Sequence, residues 1–418
     1  MGKLVEAPRA VLRRQTISDY RVFTPRLVEE VARLARRLGT LSVLHINSTL
    51  SGGGVAELLR SQVPLERSLG IISRWFFISA PRDFFKVTKK LHNLLQGKPG
   101  MLAKEEQQTY KRAARDLAGS LRGILRKAAS TKTVVILHDP QTLPLINAIP
   151  REIPVIVRLH IDLSSPNRRA LRFIHPLLRK ARYVVISHRA YHLWRDERLK
   201  IRVMAPAIDP FTAKNRELSP PRALRILFDN GLNINKPILA QVSRFDPWKD
   251  PLGAIKTYGL AKNKIPALQL ILAGKYAADD PEGAAIFEAV SKHARGDPDI
   301  FLFTEHDDTF INAVQRASDV ILQKSLREGF GLTVTEAMWK GKAVVGGKTA
   351  GIGLQIRNGK NGFFASSPEE AARAVVHLLR DERLRTKIGK AARETVRREF
   401  LFARLMRDHL KLYQEVYE

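Results

Sequence analysis

Short apolar runs alternate along this chain with longer segments in which apolar residues recur every three or four positions. Runs of four to eight residues bounded by polar turns predict buried strands, and the longer periodic segments predict amphipathic helices between them. In the first half the predicted strands are 41–46 (LSVLHI), 71–78, 133–138 (TVVILH), 154–160 (PVIVRLH) and 182–187, with helices such as 55–68 and 103–128 between them. The second half predicts strands 237–243, 268–274, 299–303, 320–323 and 343–346, and helices 251–261, 281–294, 309–317, 332–341 and 367–379, with a last helix over 399–418. Such alternation predicts an α/β protein with parallel sheets. Between the two sets lies a polar, proline-punctuated stretch, 205–223 (APAIDPFTAKNRELSPPRA), where Pro220 and Pro221 argue against a helix. The linker is placed here, dividing 1–215 from 216–398. Two doubly wound domains would then face each other across a cleft, with ligand sites at the carboxyl ends of the strands.

Composition narrows the chemistry. The chain has 418 residues and no cysteine, which excludes disulfides, thiolate catalysis and Cys-ligated zinc or iron–sulfur clusters. No apolar run approaches a membrane span, and the first residues (MGKLVEAPRAVLRRQ) hold no apolar signal core, so a cytoplasmic protein is expected. Formal net charge is +30. Residues 1–200 hold 37 basic and 15 acidic side chains, the remainder 34 and 26, so the excess lies in the first half. Such a field attracts phosphorylated ligands, polyanions or an anionic membrane surface, and it is also what a basic solvated surface carries. With no RNA- or DNA-recognition motif and few aromatics, a nucleic-acid partner is set aside.

Four strand ends carry candidate chemistry. After the first strand, Asn47 leads into STLSGGG, where Gly52, Gly53 and Gly54 bare their amides at a helix start. They could cradle an anionic or oxygen-rich ligand, or form a plain flexible loop. In 241–250 (QVSRFDPWKD), Arg244 and Lys249 are two cations suited to a diphosphate. The same residues could instead form an exposed loop paired with Asp246 and Asp250. In 327–336 (REGFGLTVTE), Gly329 and Gly331 let backbone approach a ligand, and the amides of Phe330, Leu332 and Thr333 open a helix N-terminus that favours a phosphate. Glu328 and Glu336, eight positions apart, could accept from sugar hydroxyls and a ribose diol; Glu336 could equally be a surface glutamate. In 158–168 (RLHIDLSSPNR), His160 and Asp162 alternate at a strand end and could meet a sugar, although a lone strand-end His is usually structural. His138–Asp139 ends another strand in the same way.

A glycine loop after the first strand, an S-R-x4-K loop and E-G-F-G-L-T-x-x-E, in that order and each at a strand end, resemble the retaining GT-B glycosyltransferases of family four. The segments HINSTLSGGGVAELLRS, HIDLSSPNR, QVSRFDPWKD and QRASDVILQKSLREGFGLTVTEAMWKGK are similar to those of its trehalose-forming branch, over nearly the whole chain. The resemblance implies the two-domain GT-B fold, with the last helix 399–418 packed back on the first domain. It implies a nucleoside diphosphate glucose as donor, glucose as acceptor, and retention giving α,α-trehalose. Arg244 and Lys249 would grip the diphosphate, Glu336 the ribose, and Glu328 with the amides of 329–333 the glucosyl hydroxyls and distal phosphate. Gly52–Gly54, His160 and Asp162 would surround the reacting sugars, with Asn47, His138 and again Asp162 on the acceptor. No tightly bound cofactor or protein-ligated metal is implied, a divalent cation being at most stimulatory, and a homodimer is left open. One departure stands out: 344–352 reads VVGGKTAGI, where many relatives follow Gly-Gly directly with Ile or Val, so Lys348 and Thr349 bear on hexose choice. Two alternatives remain: a phosphorylase using inorganic phosphate in place of the nucleotide, and a retaining glucosyltransferase with a lipid or other sugar acceptor.

Overall fold

The computed structural model describes residues 2–51, 53–128, 131–191, 196–274 and 281–418. The chain divides into two compact units: unit 1, Met1–Pro206 with Phe402–Glu418, and unit 2, Ala207–Leu401.

Unit 1 is built on strands β1 (Lys3–Glu6), β2 (Leu41–Asn47), β3 (Ile72–Ser79), β4 (Lys132–His138), β5 (Val155–Arg158), β6 (Tyr183–Ile186) and β7 (Ile201–Val203). Their order across the sheet is β1-β3-β2-β4-β5-β6-β7. β1 pairs antiparallel with β3, and the other neighbours are parallel. All seven residues of β2 are buried, as expected of a central strand covered on both faces. The last helix, Phe402–Glu415, packs against helices Pro25–Leu38 and Gly54–Ser68 of this unit. It buries Leu405, Met406, Leu410, Leu412 and Tyr413. At roughly 1.5–3 kcal/mol per such side chain, that face suffices to bring the chain end back to unit 1.

Unit 2 carries β8 (Ile238–Val242), β9 (Gln269–Ala273), β10 (Ile300–Phe303), β11 (Val320–Gln323), β12 (Ala343–Gly347) and β13 (Phe363–Ala365). The sheet is parallel throughout, in the order β10-β9-β8-β11-β12-β13. Among the parallel strands of each sheet the order reverses once, between β2 and β4 in unit 1 and between β8 and β11 in unit 2. A crevice opens outside the carboxyl ends of the strands at such a point.

Three expectations are corrected. Pro220 and Pro221 begin a helix, Pro220–Asp229, rather than preventing one, because the first turn has no amide bond to lose. The preceding residues are held on unit 2, where Asn312 Nδ2 donates to the carbonyls of Ala213 and Arg216, both at 2.9 Å. The units therefore part at Pro206/Ala207, upstream of 215. The expected last helix over 399–418 is Phe402–Glu415, shorter at both ends; residue 399 closes the preceding helix, Glu382–Glu399, and the chain passes from unit 2 to unit 1 between the two.

Candidate active site

Both loops at the switch point of unit 2 carry predicted site residues. The loop after β8 is shaped by its aspartates. Asp246 Oδ1 accepts from the Trp248 amide at 2.8 Å, and Asp250, in left-handed backbone with φ +48°, caps helix Pro251–Lys262 through the Gly253 amide at 3.0 Å. Gln241 ties this loop to the one after β11: its Nε2 donates to the Lys249 carbonyl (3.0 Å), and its Oε1 accepts from the Lys324 amide (2.9 Å). The Leu326 amide adds a bond to the Trp248 carbonyl at 2.8 Å.

This stitching brings Lys249 onto Glu328. Lys249 Nζ donates to Glu328 Oε2 at 2.6 Å, and Ser325 Oγ donates to the same oxygen at 3.1 Å. Asp250, a salt partner in the exposed-loop alternative, instead faces Lys324, at 3.4 Å. Arg244 is the open member of the cation pair: its side chain is 56% exposed and leans on Asp246 at 3.4 Å. One cation is therefore held against a largely buried carboxylate while the other reaches toward solvent from the same loop.

The E-G-F-G turn is set from behind. Gly331 has φ +88°, a conformation that favours glycine, and stands as N-cap to helix Leu332–Trp339. Gln355 Nε2 donates to the carbonyls of Phe330 (2.5 Å) and Gly331 (3.3 Å), so two carbonyls of the turn are occupied from the protein side. Thr335 Oγ1 fixes Gln355 by donating to its Oε1 at 2.6 Å. Phe330 is buried against the Phe400 ring. Thr333 Oγ1 donates to Gln323 Oε1 at 3.0 Å at the end of β11. The divergent 344–352 segment packs directly on this turn: a Cβ placed at Gly351 would lie 2.4 Å from the Glu328 carbonyl oxygen and 2.7 Å from Gly329 C. Thr349 caps the short helix Ala350–Gly353 by accepting from the Ile352 amide at 3.4 Å.

Glu336 is not a surface glutamate. It is 2% exposed, and its Oε1 stands 3.7 Å from Nζ of Lys214, a residue assigned by sequence to the linker. Beneath it, buried Lys340 donates to Gln315 Oε1 (2.8 Å), Asn215 Oδ1 (3.0 Å) and the Glu336 carbonyl (3.2 Å).

In unit 1, Gly53 is the extended N-cap of helix Gly54–Ser68 and both glycines are exposed; Gly52 lies outside the described residues. Asn47 and His138, expected on the acceptor, turn inward. Asn47 is buried, with Oδ1 accepting from Trp75 Nε1 (2.7 Å) and Nδ2 donating to the Thr49 carbonyl (2.7 Å), so it pins the loop after β2. His138 is buried between two imidazoles, with Nε2 3.1 Å from His45 Nδ1 and Nδ1 3.0 Å from His160 Nε2. β5 ends at Arg158, so strand alternation does not reach 160 and 162. Asp162 is buried and caps its own loop, accepting from the Ser164 amide at 2.8 Å, while His160 is half-buried. Burial pushes the imidazoles of His138 and His160 well below their ordinary range, with nearby Arg158 adding to the effect on both. Asp139, whose Oδ1 accepts from the His160 amide at 2.7 Å, is pushed up to about 7 by burial and has left-handed backbone, φ +63°. Ser325, Lys214, Gln355, His45 and Glu66 were not singled out from sequence. His45 alone offered a signal, one strand position from the end of an apolar run. Among the described residues, no group of three or more His, Asp or Glu is placed to hold a metal, and no helix is long and apolar enough to cross a membrane.

Two Rossmann-like units built on largely parallel sheets, each with its polar loops at the switch point, are the frame of the GT-B glycosyltransferases, and the comparisons agree. Residues 45–193 match the family model described as trehalose synthase, N-terminal domain, and residues 224–395 that described as glycosyl transferases group 1. A solved UDP-forming α,α-trehalose-phosphate synthase from Burkholderia xenovorans superimposes with TM-score 0.72 over 90% of this chain and 99% of its own, at 16% identity, which shows the shared fold. The chain is a glycosyltransferase of this fold. It belongs to the trehalose synthase family, being 41% identical over 404 residues to the trehalose synthase of Pyrococcus horikoshii, with 96% of each chain covered. The Rubrobacter xylanophilus trehalose synthase is 39% identical over 414 residues, covering 96% of this chain and 97% of its own. A trehalose phosphorylase from Pleurotus pulmonarius is more distant, at 27% identity over 89% of this chain and 56% of its own.

Proposed function

We infer that this protein transfers glucose from a nucleoside diphosphate glucose to the anomeric hydroxyl of a second glucose, with retention, giving α,α-trehalose. The observation that carries this reading is full-length similarity to trehalose synthases. The Lys249–Glu328 pair at the switch point of unit 2 supports the donor assignment. Arg244 and Lys249 are assigned to the diphosphate, with the Leu332 and Thr333 amides at the helix start adding partial positive charge. Glu328, joined to the same cation, is assigned to glucosyl hydroxyls, and Glu336 to the ribose diol. His160 is assigned to a sugar hydroxyl at the strand ends of unit 1.

In the reaction, the bond from the anomeric carbon to the diphosphate oxygen breaks, and the electron pair leaves with the diphosphate. The acceptor oxygen bonds to the same face of that carbon, and its proton passes to the departing phosphate. Fixed cations favour this step because charge grows on the leaving group as the transition state forms. No side-chain base is required on this route. The test is incubation with UDP-, ADP- or GDP-glucose plus glucose. A non-reducing glucose disaccharide is expected from at least one donor. Phosphate-dependent release of glucose 1-phosphate from trehalose with no nucleotide activity would replace this reading with the phosphorylase, and glucosylation of a lipid instead of glucose would replace it with another transferase.

A further inference from the structure

Three imidazoles join the surface of unit 1 to a buried carboxylate. His160, half-buried after β5, meets His138 at the end of β4 (3.0 Å), which meets His45 on β2 (3.1 Å), whose Nε2 meets Glu66 Oε2 at 2.9 Å. Neighbouring rings stack at 5.3 and 5.4 Å. Their strands are adjacent in the sheet, so the order of the chain of rings is the order of β2, β4 and β5.

Glu66, in helix Gly54–Ser68, is wholly buried. Besides His45, it accepts from Ser73 Oγ (2.6 Å), Tyr413 Oη (2.7 Å) and Gln62 Nε2 (3.0 Å). Four donors match the acceptor capacity of an ionised carboxylate and leave no place for a proton of its own. Burial alone would raise its pKa, but the hydrogen bonds from His45 and Ser73 work against burial and keep it lowered. An anion fixed at one end gives the chain a direction. His45 must donate through Nε2, so in its neutral form Nδ1 is an acceptor. His138 then donates through Nε2 and accepts at Nδ1, and His160 donates through Nε2. Reversal would require an extra proton on His45, and buried Arg158, paired with His138 across β4 and β5, opposes added positive charge along the rings.

We propose that Glu66, His45 and His138 are positioning residues that fix the tautomer of His160, so that its Nδ1 presents a lone pair and accepts a hydrogen bond from a substrate hydroxyl. Only the choice of hydroxyl rests on the function proposed above; the tautomer follows from unit 1 alone. A hydroxyl donating here is oriented with its oxygen lone pairs turned away from the ring, which selects sugars able to donate at that position.

The test is long-range proton–nitrogen NMR on the full chain labelled with 15N-histidine, the His160 signal being assigned by its loss in His160→Gln. The wild-type protein is expected to show His160 protonated at Nε2 and bare at Nδ1. In Glu66→Gln the amide can donate to His45, and His160 is expected to switch to the Nδ1-protonated form, with kcat/KM lower by about tenfold or more through loss of one hydrogen bond. His138→Gln, which cuts the chain but leaves Glu66 in place, is expected to lower activity without changing the Glu66–His45 end. A wild-type His160 protonated at Nδ1 would overturn the proposal without any variant. An unchanged His160 pattern in folded Glu66→Gln would overturn it too. Correct tautomers with no trehalose formed would leave the relay standing and remove the function instead.

Discussion

Gly351→Ala tests how tightly the 344–352 segment sets the donor turn. A Cβ at 351 would lie 2.4 Å from the Glu328 carbonyl oxygen and 2.7 Å from both Gly329 C and the Phe330 amide nitrogen. None of these is the end of a flexible side chain, so backbone must yield by about 1 Å to restore ordinary contact, and overpacking of this kind costs roughly 1–3 kcal/mol. In a unit of this size that lowers Tm by roughly 2–12 °C. Function should suffer more, because the displaced atoms belong to the turn assigned to the distal phosphate and glucosyl group. A misplacement of about 1 Å in such a turn can cost on the order of 100-fold in rate. Gly353 is a matched control: it lies in the same short helix, and a Cβ there meets nothing within 4 Å. The assay compares kcat/KM for the nucleotide donor and Tm in Gly351→Ala and Gly353→Ala. Expected is a large activity loss in the first and near-wild-type values in the second. Equal activity in the two variants would refute the claim that this contact positions the turn.

Lys249→Met removes the cation 2.6 Å from Glu328, and loss of a charge-assisted hydrogen bond to phosphate should weaken nucleoside diphosphate binding by roughly 10- to 100-fold in calorimetric titration; unchanged affinity would take Lys249 out of the diphosphate site. Lys340→Met strips the buried ammonium from Gln315, Asn215 and the Glu336 carbonyl and should destabilise unit 2 by about 3 kcal/mol or more, read as a lower Tm; a Tm within 1–2 °C of wild type, roughly, would contradict it. Acid should destabilise unit 1. His138 and His160 are held well below, and His409 is brought down to about 3, chiefly by burial, so between about pH 6 and 4 the unfolded chain binds three more protons at these sites. Asp139, at about 7 when folded, opposes this with one proton bound in the folded state. The net of two protons lowers stability by about 2.7 kcal/mol per pH unit from these groups, and Glu66 adds a further loss as pH falls from 4.5 toward 2. Calorimetry at pH 7.5, 6 and 5 should show a falling Tm; a flat or rising one would contradict the burial argument.

Much of the architecture was legible because parallel strands buried on both faces read as uninterrupted apolar runs. β2 and β11 were predicted to within a residue on that basis. The short edge strands β1, β7 and β13, of four, three and three residues, have no periodicity to detect. Proline was overread: Pro220 opens a helix, because a proline in the first turn has no amide hydrogen bond to lose. The unit 2 loops were legible because glycine, arginine and glutamate at strand ends carry chemistry with few structural uses there. Glu66 and Lys214 were not, because a helical glutamate and a loop lysine look ordinary until folding brings them to His45 and Glu336, partners 21 and 122 positions away. Asn47 and His138 were assigned outward because sequence places a residue at a strand end without saying which way its side chain turns.

The donor assignment requires the diphosphate to lie against the loops after β8 and β11. A crystal structure of the full chain with a nucleoside diphosphate tests this most directly. Phosphate oxygens are expected within hydrogen-bond reach of Lys249 Nζ and the Arg244 guanidinium, with the helix start at Leu332 facing them. A nucleotide seated elsewhere, with Lys249 still closed on Glu328 and no phosphate beside it, would contradict the account.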